Sequence, residues 1–263
     1  MRKVTKILLR TLSAILLLLI ILPLLPALLL AIPAVQNAVI YRAADWASEK
    51  LGTRVEVGRI TIGPFNRVTV RDFYVADLDN DTLLYVKRVD AYFGSLASMA
   101  QGNLVINYGN IQGGKFVVRE TERGTIAVKE VTDRIGKKDK EKEKGNFRLD
   151  VRSLDASGVD FSLLRRQELR DVGVDYANMH LLDIDTHIDN FLVKAGGYVG
   201  GDIGRLSFVE RSGFVLSDLA GTFFVHNGRV GVNGARLQTA LSDINLNNFL
   251  LDGDGWEAYK QVL

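Results

Sequence analysis

The sequence of 263 residues contains no cysteine, only three histidines and only four prolines. Without cysteine, disulfide bonds and thiolate metal sites are excluded. The histidines, at positions 180, 187 and 226, do not have the spacing of a zinc site, and no Gly-x-Ser-x-Gly motif supplies a catalytic serine. The sequence therefore indicates a protein that is not an enzyme and that binds no metal ion and no cofactor.

One long segment near the N terminus has no charged residue. Residues 12–35 are predominantly apolar and include Pro23, Pro26 and Pro33. At ~1.5 Å per residue the segment matches a hydrocarbon core of ~30 Å, and no pair of small residues that signals cleavage follows it. It predicts an uncleaved signal anchor. A buried core helix is the alternative, but such helices rarely run this long without a polar face.

The charges that flank this segment predict its orientation. Four basic residues precede it, and these membrane-orienting residues are Arg2, Lys3, Lys6 and Arg10. Mixed charges follow it, and the more basic side of a membrane span faces the cytoplasm. We expect residues 1–34 to form a cytoplasmic tail and a single inner-membrane anchor, with the bulk of the chain in the periplasm. The total charge of +2, less the four N-terminal charges (2 − 4 = −2), indicates no nucleic-acid partner.

Residues 35–52 have apolar side chains at helical spacing and end at Gly52, which is typical of a helix cap. We expect a short amphipathic helix next to the membrane. Two roles are open for Trp46 and Tyr41. Their rings can lie at the membrane interface, or Trp46 can pack on the first strands.

From Thr53 onward the apolar residues alternate with period two, which is typical of strands. Val55 and Val57 share one parity, and Gly58 shifts the phase so that Ile60 and Ile62 align with them, as a bulge does. Further strand patterns occupy 67–77, 82–93, 104–120 and 125–131, separated by turn residues. Residues 53–132 therefore form the first predicted β segment.

Five lysines lie in the segment 133–146, which has no apolar stripe, and we interpret this segment as a solvated loop. Residues 147–263 form the second predicted β segment. Its clearest alternation sets Leu182, Ile184 and Ile188 against Asp183, Asp185, His187 and Asp189. No helical pattern of ten or more residues interrupts the strands, which favours an antiparallel meander of roughly fifteen short strands, ~70 Å long if they stack at ~4.8 Å.

Three short motifs resemble ligand sites without matching them. The acidic strings at 77–81 and 252–255 lack the ligand spacing of a calcium loop, and aspartates are common in turns because they bond to the local backbone. The glycine-rich segment 196–204 precedes a strand pattern, whereas a phosphate-binding loop precedes a helix. We interpret the acidic strings as turns and the glycine-rich segment as a loop or a strand end.

The predicted strands share one apolar side, and its shape is open at this stage. A sandwich would fold that side onto itself, whereas an elongated, curled sheet would leave it as a groove. An open groove has to be covered by acyl chains or by a partner chain to avoid aggregation. The candidate lipid-groove residues are Val55, Val57, Ile60, Ile62, Val68, Val70, Leu104, Ile106, Leu182, Ile184 and Ile188.

The stretches GTRVEVGRI and VTVRDFYVAD, behind an anchor and an amphipathic helix, resemble the N-terminal part of TamB-type translocation and assembly module proteins of Bacteroidetes-like bacteria, which belong to the AsmA-like superfamily. The resemblance covers the whole chain, and it is looser beyond residue 146. It implies an all-β, elongated, curled antiparallel sheet that projects from the inner membrane, with an apolar groove. It also implies phospholipid as a partner, a role in outer-membrane biogenesis and no catalytic residues.

Members of that family are much longer and end in a domain that meets an outer-membrane partner. The resemblance therefore implies that this chain is a fragment or a truncated product, and that any outer-membrane partner binds through a region missing here. Two functional hypotheses follow. The groove shields lipid acyl chains in transit, or the sheet templates strands of outer-membrane proteins by edge pairing. A third, an anchored enzyme, would need a cluster of histidine and acidic groups in a cleft.

Overall fold

The described part of the chain forms one sheet of ten strands that does not close on itself. A computed structural model describes residues 42, 44–45, 47–49, 51–63, 66–94, 103–128, 130–131, 148–166, 173–194, 197–227 and 229–252. The strands are β1 (Val55–Ile62), β2 (Arg67–Ala76), β3 (Thr82–Phe93), β4 (Asn103–Arg119), β5 (Arg148–Leu164), β6 (His180–Lys194), β7 (Tyr198–Glu210), β8 (Val215–His226), β9 (Arg229–Thr239) and β10 (Asp243–Leu251). The all-β prediction is confirmed.

The strands follow one another in the sheet in chain order. Eight neighbouring pairs are antiparallel, but β4 and β5 are parallel, so the prediction of a purely antiparallel meander is wrong at this pair. A parallel pair requires a crossover connection of a dozen or more residues. Residues 120–147 make that connection, and the predicted charged loop at 133–146 falls within it, outside the described residues.

The ten strands of the described part are fewer and longer than the roughly fifteen short strands expected. They have 8 to 17 residues each, because glycines inside the strands do not end them. The glycine-rich segment 196–204 shows this most clearly, since residues from Tyr198 onward belong to β7 rather than to a loop. Gly201 faces a bulge in β6, where an added Cβ would lie 3.2 Å from the Ile188 side chain. A strand interior crowded in this way favours glycine.

The prediction of a strand at 125–131 is wrong. Residues 127–128 and 130–131 are helical. Both edges of β4 are already occupied, by β3 and by β5, so the segment cannot extend the sheet at β4. Ala127 and Val131 instead pack with Val55, Val75 and Leu83 into the best-buried apolar cluster of the described chain.

The helix before β1 ends as the sequence predicts. The described residues from 42 to 51 are helical, and Gly52 has φ 64° while its N–H donates to the Ser48 carbonyl at 2.8 Å. Ala47 and Leu51 pack on the apolar cluster. The predicted anchor at 1–34 lies outside the described residues, and none of the helices within them has the length and hydropathy that a bilayer span requires.

Three residues with a positive φ lie on one line that crosses the first five strands. Asp72 of β2, Gly113 of β4 and Gly158 of β5 have φ values of 53°, 65° and 60°. The strand registers place Asp72 between Gly58 and Lys87, and Gly113 between Lys87 and Gly158. These positions therefore form one line across the sheet.

This line changes the side-chain alternation. Ala156 pairs with Thr186 of β6, and Val159 pairs with Ile184. Because Ile184 and Thr186 are two residues apart in a stretch of β6 without a positive φ, their side chains share a face. Ala156 and Val159 therefore share that face although they are three residues apart, so Gly158 reverses the alternation in β5.

The unshifted registers carry this reversal to β1. Val159 and Ala156 connect, through β4, β3 and β2, to Val57 and Ile60. Val57 and Ile60 thus share one face, in agreement with the phase shift predicted at Gly58. The register between β1 and β2 is continuous, so the shift is a change that all five strands make together rather than a local bulge of β1.

Candidate functional site: the two faces of the sheet

The reversal collects most of the apolar side chains of β1 to β6 on one surface, the apolar face. Its members in β1 to β3 are Val55, Val57, Ile60, Ile62, Val68, Val70, Phe73, Val75, Leu84, Val86, Val89 and Ala91. Its members in β4 to β6 are Leu104, Ile106, Ile111, Phe116, Leu149, Val151, Leu154, Ala156, Val159, Phe161, Leu181, Ile184, Ile188, Phe191 and Val193.

The part of this face that contains Phe191 and Val193 depends on a second reversal, at Asn190 of β6, where φ is 53°. Ile188 pairs with Ile203 of β7, and Val193 pairs with Val199. No positive φ lies between Val199 and Ile203, which are four residues apart, so their side chains share one face. Their partners Ile188 and Val193 therefore share that face as well. The partners of this region in β4 and β5, which include the predicted Leu104 and Ile106, join the same face.

Ten of the eleven candidate groove residues therefore lie on the apolar face, and Leu182 does not. Leu181, rather than Leu182, shares a face with Ile184, because its partner Phe161 is two residues from Val159. The cause is Asp183, which has φ 49° and whose N–H donates to the Asp160 carboxylate at 3.1 Å. Leu182 is 39% exposed on the opposite face.

The apolar face is only partly covered. Most of its side chains are half-buried, Ile62 is 44% exposed, and no large side chain in the described part is completely buried. A cluster of buried apolar residues lies at the end of the sheet where the two short helices pack on Val55, Val75 and Leu83. Within the described part of the chain, the sheet is thus a single layer over most of its area.

The opposite surface of β1 to β6, the polar face, carries charged residues in direct register. Arg59 pairs with Arg71, and Arg71 pairs with Arg88, so three guanidinium groups follow one another across β1, β2 and β3. With Arg67 they line a cavity of ≈ 360 Å³, together with Thr61, Gly63, Thr69 and Tyr92. Sequence reasoning missed this site, although folding 55–75 as a hairpin about the turn at 63–66 already places Arg59 opposite Arg71.

One carboxylate balances part of this charge. Asp90 is buried and accepts from Arg67 Nη2 at 2.7 Å, from Arg88 Nε at 2.6 Å and from Thr69 Oγ1 at 2.6 Å. The hydrogen bond from Arg88 is the main cause that holds the pKa of Asp90 well below its ordinary value. Asp90 is therefore ionised and fully engaged at neutral pH.

The polar face continues across β4, β5 and β6. Tyr108 Oη donates to Asp155 Oδ2 at 2.8 Å, His187 Nδ1 lies 2.8 Å from Asp155 Oδ1, and His187 Nε2 lies 3.2 Å from Asp189 Oδ2. Arg205 of β7 stands opposite His187. The hydrogen bond with Asp155 raises the pKa of His187, and the same bond lowers the pKa of Asp155. The predicted polar side of β6 is confirmed for His187 and Asp189.

We expect this network to make stability depend on pH. The folded-state pKa of His187 is raised above the ordinary value of about 6.5, so the protonated ring stabilises the fold below that pH, and the contribution is lost as pH rises through the raised pKa. In urea unfolding, the stability difference between wild type and His187→Gln should be larger at about pH 5.5 than at about pH 8.5. An equal difference at both pH values would contradict the assignment.

The acidic string at 77–81 binds an arginine rather than forming an open ligand site. Asp77 Oδ1 accepts from the N–H groups of Asp79 and Asp81 at 3.0 and 2.9 Å, and Asp77 Oδ2 accepts from Arg119 Nη2 at 2.5 Å. Asp79 and Asp81 also form ion pairs with Arg119. The turn interpretation is confirmed, and the described residues contain no group of three acidic or histidine ligands placed to hold a metal ion.

Neither a protein-family model nor a curated protein sequence matches the chain. The resemblance to the AsmA-like superfamily therefore stays a prediction that depends on the quoted stretches, and the two faces of the sheet are the basis for a functional proposal.

Proposed function

We propose that the protein is an inner-membrane-anchored periplasmic protein whose apolar face forms a trough for the acyl chains of phospholipids in transit between membranes. The observation that carries the proposal is the apolar face itself. It extends from β1 to β6, and most of its side chains are only half-buried by the described part of the chain.

The size of the face supports an occupant. Six strands span five spacings of ~4.8 Å, and about eight residues per strand rise ~3.3 Å each, so the plan area of the face is roughly 600 Å². Monomeric soluble proteins seldom expose a contiguous apolar patch larger than a few hundred Å². At about 25 cal/mol per Å², removing such a surface from water is strongly favourable, and flexible acyl chains can fill an elongated face of this kind.

The backbone supports a concave shape. Residues with positive φ and glycine kinks bend strands, and a line of them bends a sheet as a whole. The line through Asp72, Gly113 and Gly158 crosses the middle of the apolar face. We infer that the sheet curls along this line, with apolar side chains on the inside and the arginines and aspartates outside. The expected anchor at 1–34 and the resemblance to the AsmA-like superfamily agree with such a role.

Photo-crosslinking in cells that express the full chain tests the proposal. A photoreactive amino acid at Ile184 or Ile188 should form phospholipid adducts. The same amino acid at Leu182 is the matched control, because it lies on the same strand but on the opposite face. Equal phospholipid labelling at Ile188 and Leu182, or no phospholipid adduct at either trough position, would contradict the proposal.

A second candidate function, the pairing of outer-membrane protein strands with the sheet edge, is favoured by β10. This strand pairs only with β9 among the described strands, and its side chains Ile244, Leu246, Phe249 and Leu250 are exposed. Exposed strand edges bind extended segments through backbone hydrogen bonds. Polypeptide adducts from a photoreactive residue at Leu246 or Leu250, without phospholipid adducts at Ile184 and Ile188, would favour this function over the trough.

A further inference from the structure

The arginine row on the polar face has an unfavourable arrangement in the isolated chain. Like charges directly opposite each other on neighbouring strands destabilise a sheet, and Arg71 stands between Arg59 and Arg88. Arg59 and Arg71 are exposed and form no ion pair with any carboxylate in the described part of the chain. Their charges are therefore available to a ligand.

The other two arginines keep donors for a ligand as well. Arg67 and Arg88 use Nε and Nη2 to bind Asp90, which leaves the Nη1 group of each side chain, and their side chains are 37% and 31% exposed. Four guanidinium groups and one carboxylate give the cavity a local charge of +3 (4 − 1). Asp90 already accepts three side chains, so it fixes two arginines in place without neutralising the site.

The chemistry of the site selects its ligand class. Guanidinium groups bind phosphate oxygens through paired N–H donors, and several arginines around one cavity favour an anion with more than one charge. The cavity of ≈ 360 Å³ is larger than one phosphate group needs, and its hydroxyl groups from Thr61, Thr69 and Tyr92 can also donate to oxygen.

We propose that Arg59, Arg67, Arg71 and Arg88 form a binding site for a phosphate group, free or carried on a larger molecule such as a lipid headgroup, on the polar face of β1 to β3. This site is on the surface opposite the apolar trough. Its ligand binds without entering the trough, and loss of either site leaves the other proposal intact.

Isothermal titration calorimetry of the full chain in a neutral detergent, with inorganic phosphate as the probe, tests the site. Titrations at matched ionic strength in sodium chloride separate specific binding from screening. The double variant Arg59→Gln/Arg71→Gln should bind phosphate at least tenfold more weakly than wild type. The control variant Arg152→Gln/Arg211→Gln removes two exposed arginines outside the cavity and should bind as wild type does.

Thermal unfolding gives a second readout that a purely structural role would not produce. Without phosphate, the double variant should be at least as stable as wild type, because opposed charges are removed, whereas phosphate should raise the midpoint of wild type and not that of the variant. If the double variant does not fold, the single variants Arg59→Gln and Arg71→Gln replace it, since both side chains are exposed.

Two arms identify the source of the phosphate group. Detergent micelles doped with phosphatidic acid are compared with micelles doped with phosphatidylcholine, and soluble glycerol 3-phosphate is titrated separately. A rise in the unfolding midpoint of wild type, but not of the double variant, with phosphatidic acid supports a lipid headgroup as the ligand. The same rise with glycerol 3-phosphate alone supports a free phosphate ester. Absence of any phosphate effect beyond that of chloride, or equal binding by the double variant, would overturn the site.

Discussion

Replacing Asp77 with alanine is expected to lower the free energy of unfolding by about 3 kcal/mol, because a buried ion pair loses one partner and two turn N–H groups lose their acceptor. Asp77 is 2% exposed, and its carboxylate joins the β2–β3 turn to Arg119 at the end of β4. Arg119 keeps its ion pairs with Asp79 and Asp81, so part of its charge remains balanced. Urea unfolding of the full chain in neutral detergent, followed by circular dichroism, measures the loss.

Asp79→Ala is the matched control for this prediction. Asp79 belongs to the same turn, but its side chain is 38% exposed and lies 3.4 Å from Arg119. Exposed ion pairs contribute about 0 to 1 kcal/mol, so Asp79→Ala should cost well under half of the loss expected for Asp77→Ala. Similar losses for the two variants would show that Asp77 is not the residue that fixes the turn.

Strand positions were largely predictable from local pattern. The period-two alternation at 82–93 coincides with β3, and the patterns near 67–77 and 104–120 coincide with β2 and β4 within a few residues. The cap at Gly52 was predictable for the same reason, since a left-handed residue at a helix end favours glycine. These features depend on neighbours in sequence, which a single chain displays directly.

Pairing between distant strands was not predictable in this way. The parallel pair β4–β5 depends on the path of residues 120–147, and the failure of 125–131 to form a strand follows from that pairing. Leu182 was predicted to share a face with Ile184 for a different reason. In the sequence, Asp183 is indistinguishable from any polar residue of an alternating strand, although its φ is 49°. The arginine row required registers across three strands.

The two faces have separate consequences, because the reversal of the alternation at Asp72, Gly113 and Gly158 occurs along a line rather than in one strand. At Gly113 and Gly158, glycine allows the positive φ without strain, whereas Asp72 adopts it with a short polar side chain. Neighbouring strands keep their register across the line, so a continuous apolar face and a continuous polar face coexist in one layer. Substitutions on one face should therefore affect one function only.

Placing a carboxylate in the trough is expected to reduce bound phospholipid at least tenfold. Ile188 lies in β6 on the apolar face, with partners Leu154 and Ile203 on the neighbouring strands. In Ile188→Asp, an acyl chain that covers this position would have to desolvate an ionised group, which costs several kcal/mol, more than the about 1.4 kcal/mol that a tenfold change in affinity requires. Mass spectrometry of phospholipid that copurifies with the full chain measures the occupancy.

Leu182→Asp is the control, because it introduces the same charge six residues away in the same strand but on the opposite face, where the side chain is already 39% exposed. This variant should retain wild-type phospholipid. Circular dichroism shows whether both variants keep the sheet, and Ile188→Asn replaces Ile188→Asp if the charged variant unfolds. Equal phospholipid in a folded Ile188→Asp and in Leu182→Asp would mean that acyl chains do not cover the apolar face at β6, and the trough would then have to be abandoned.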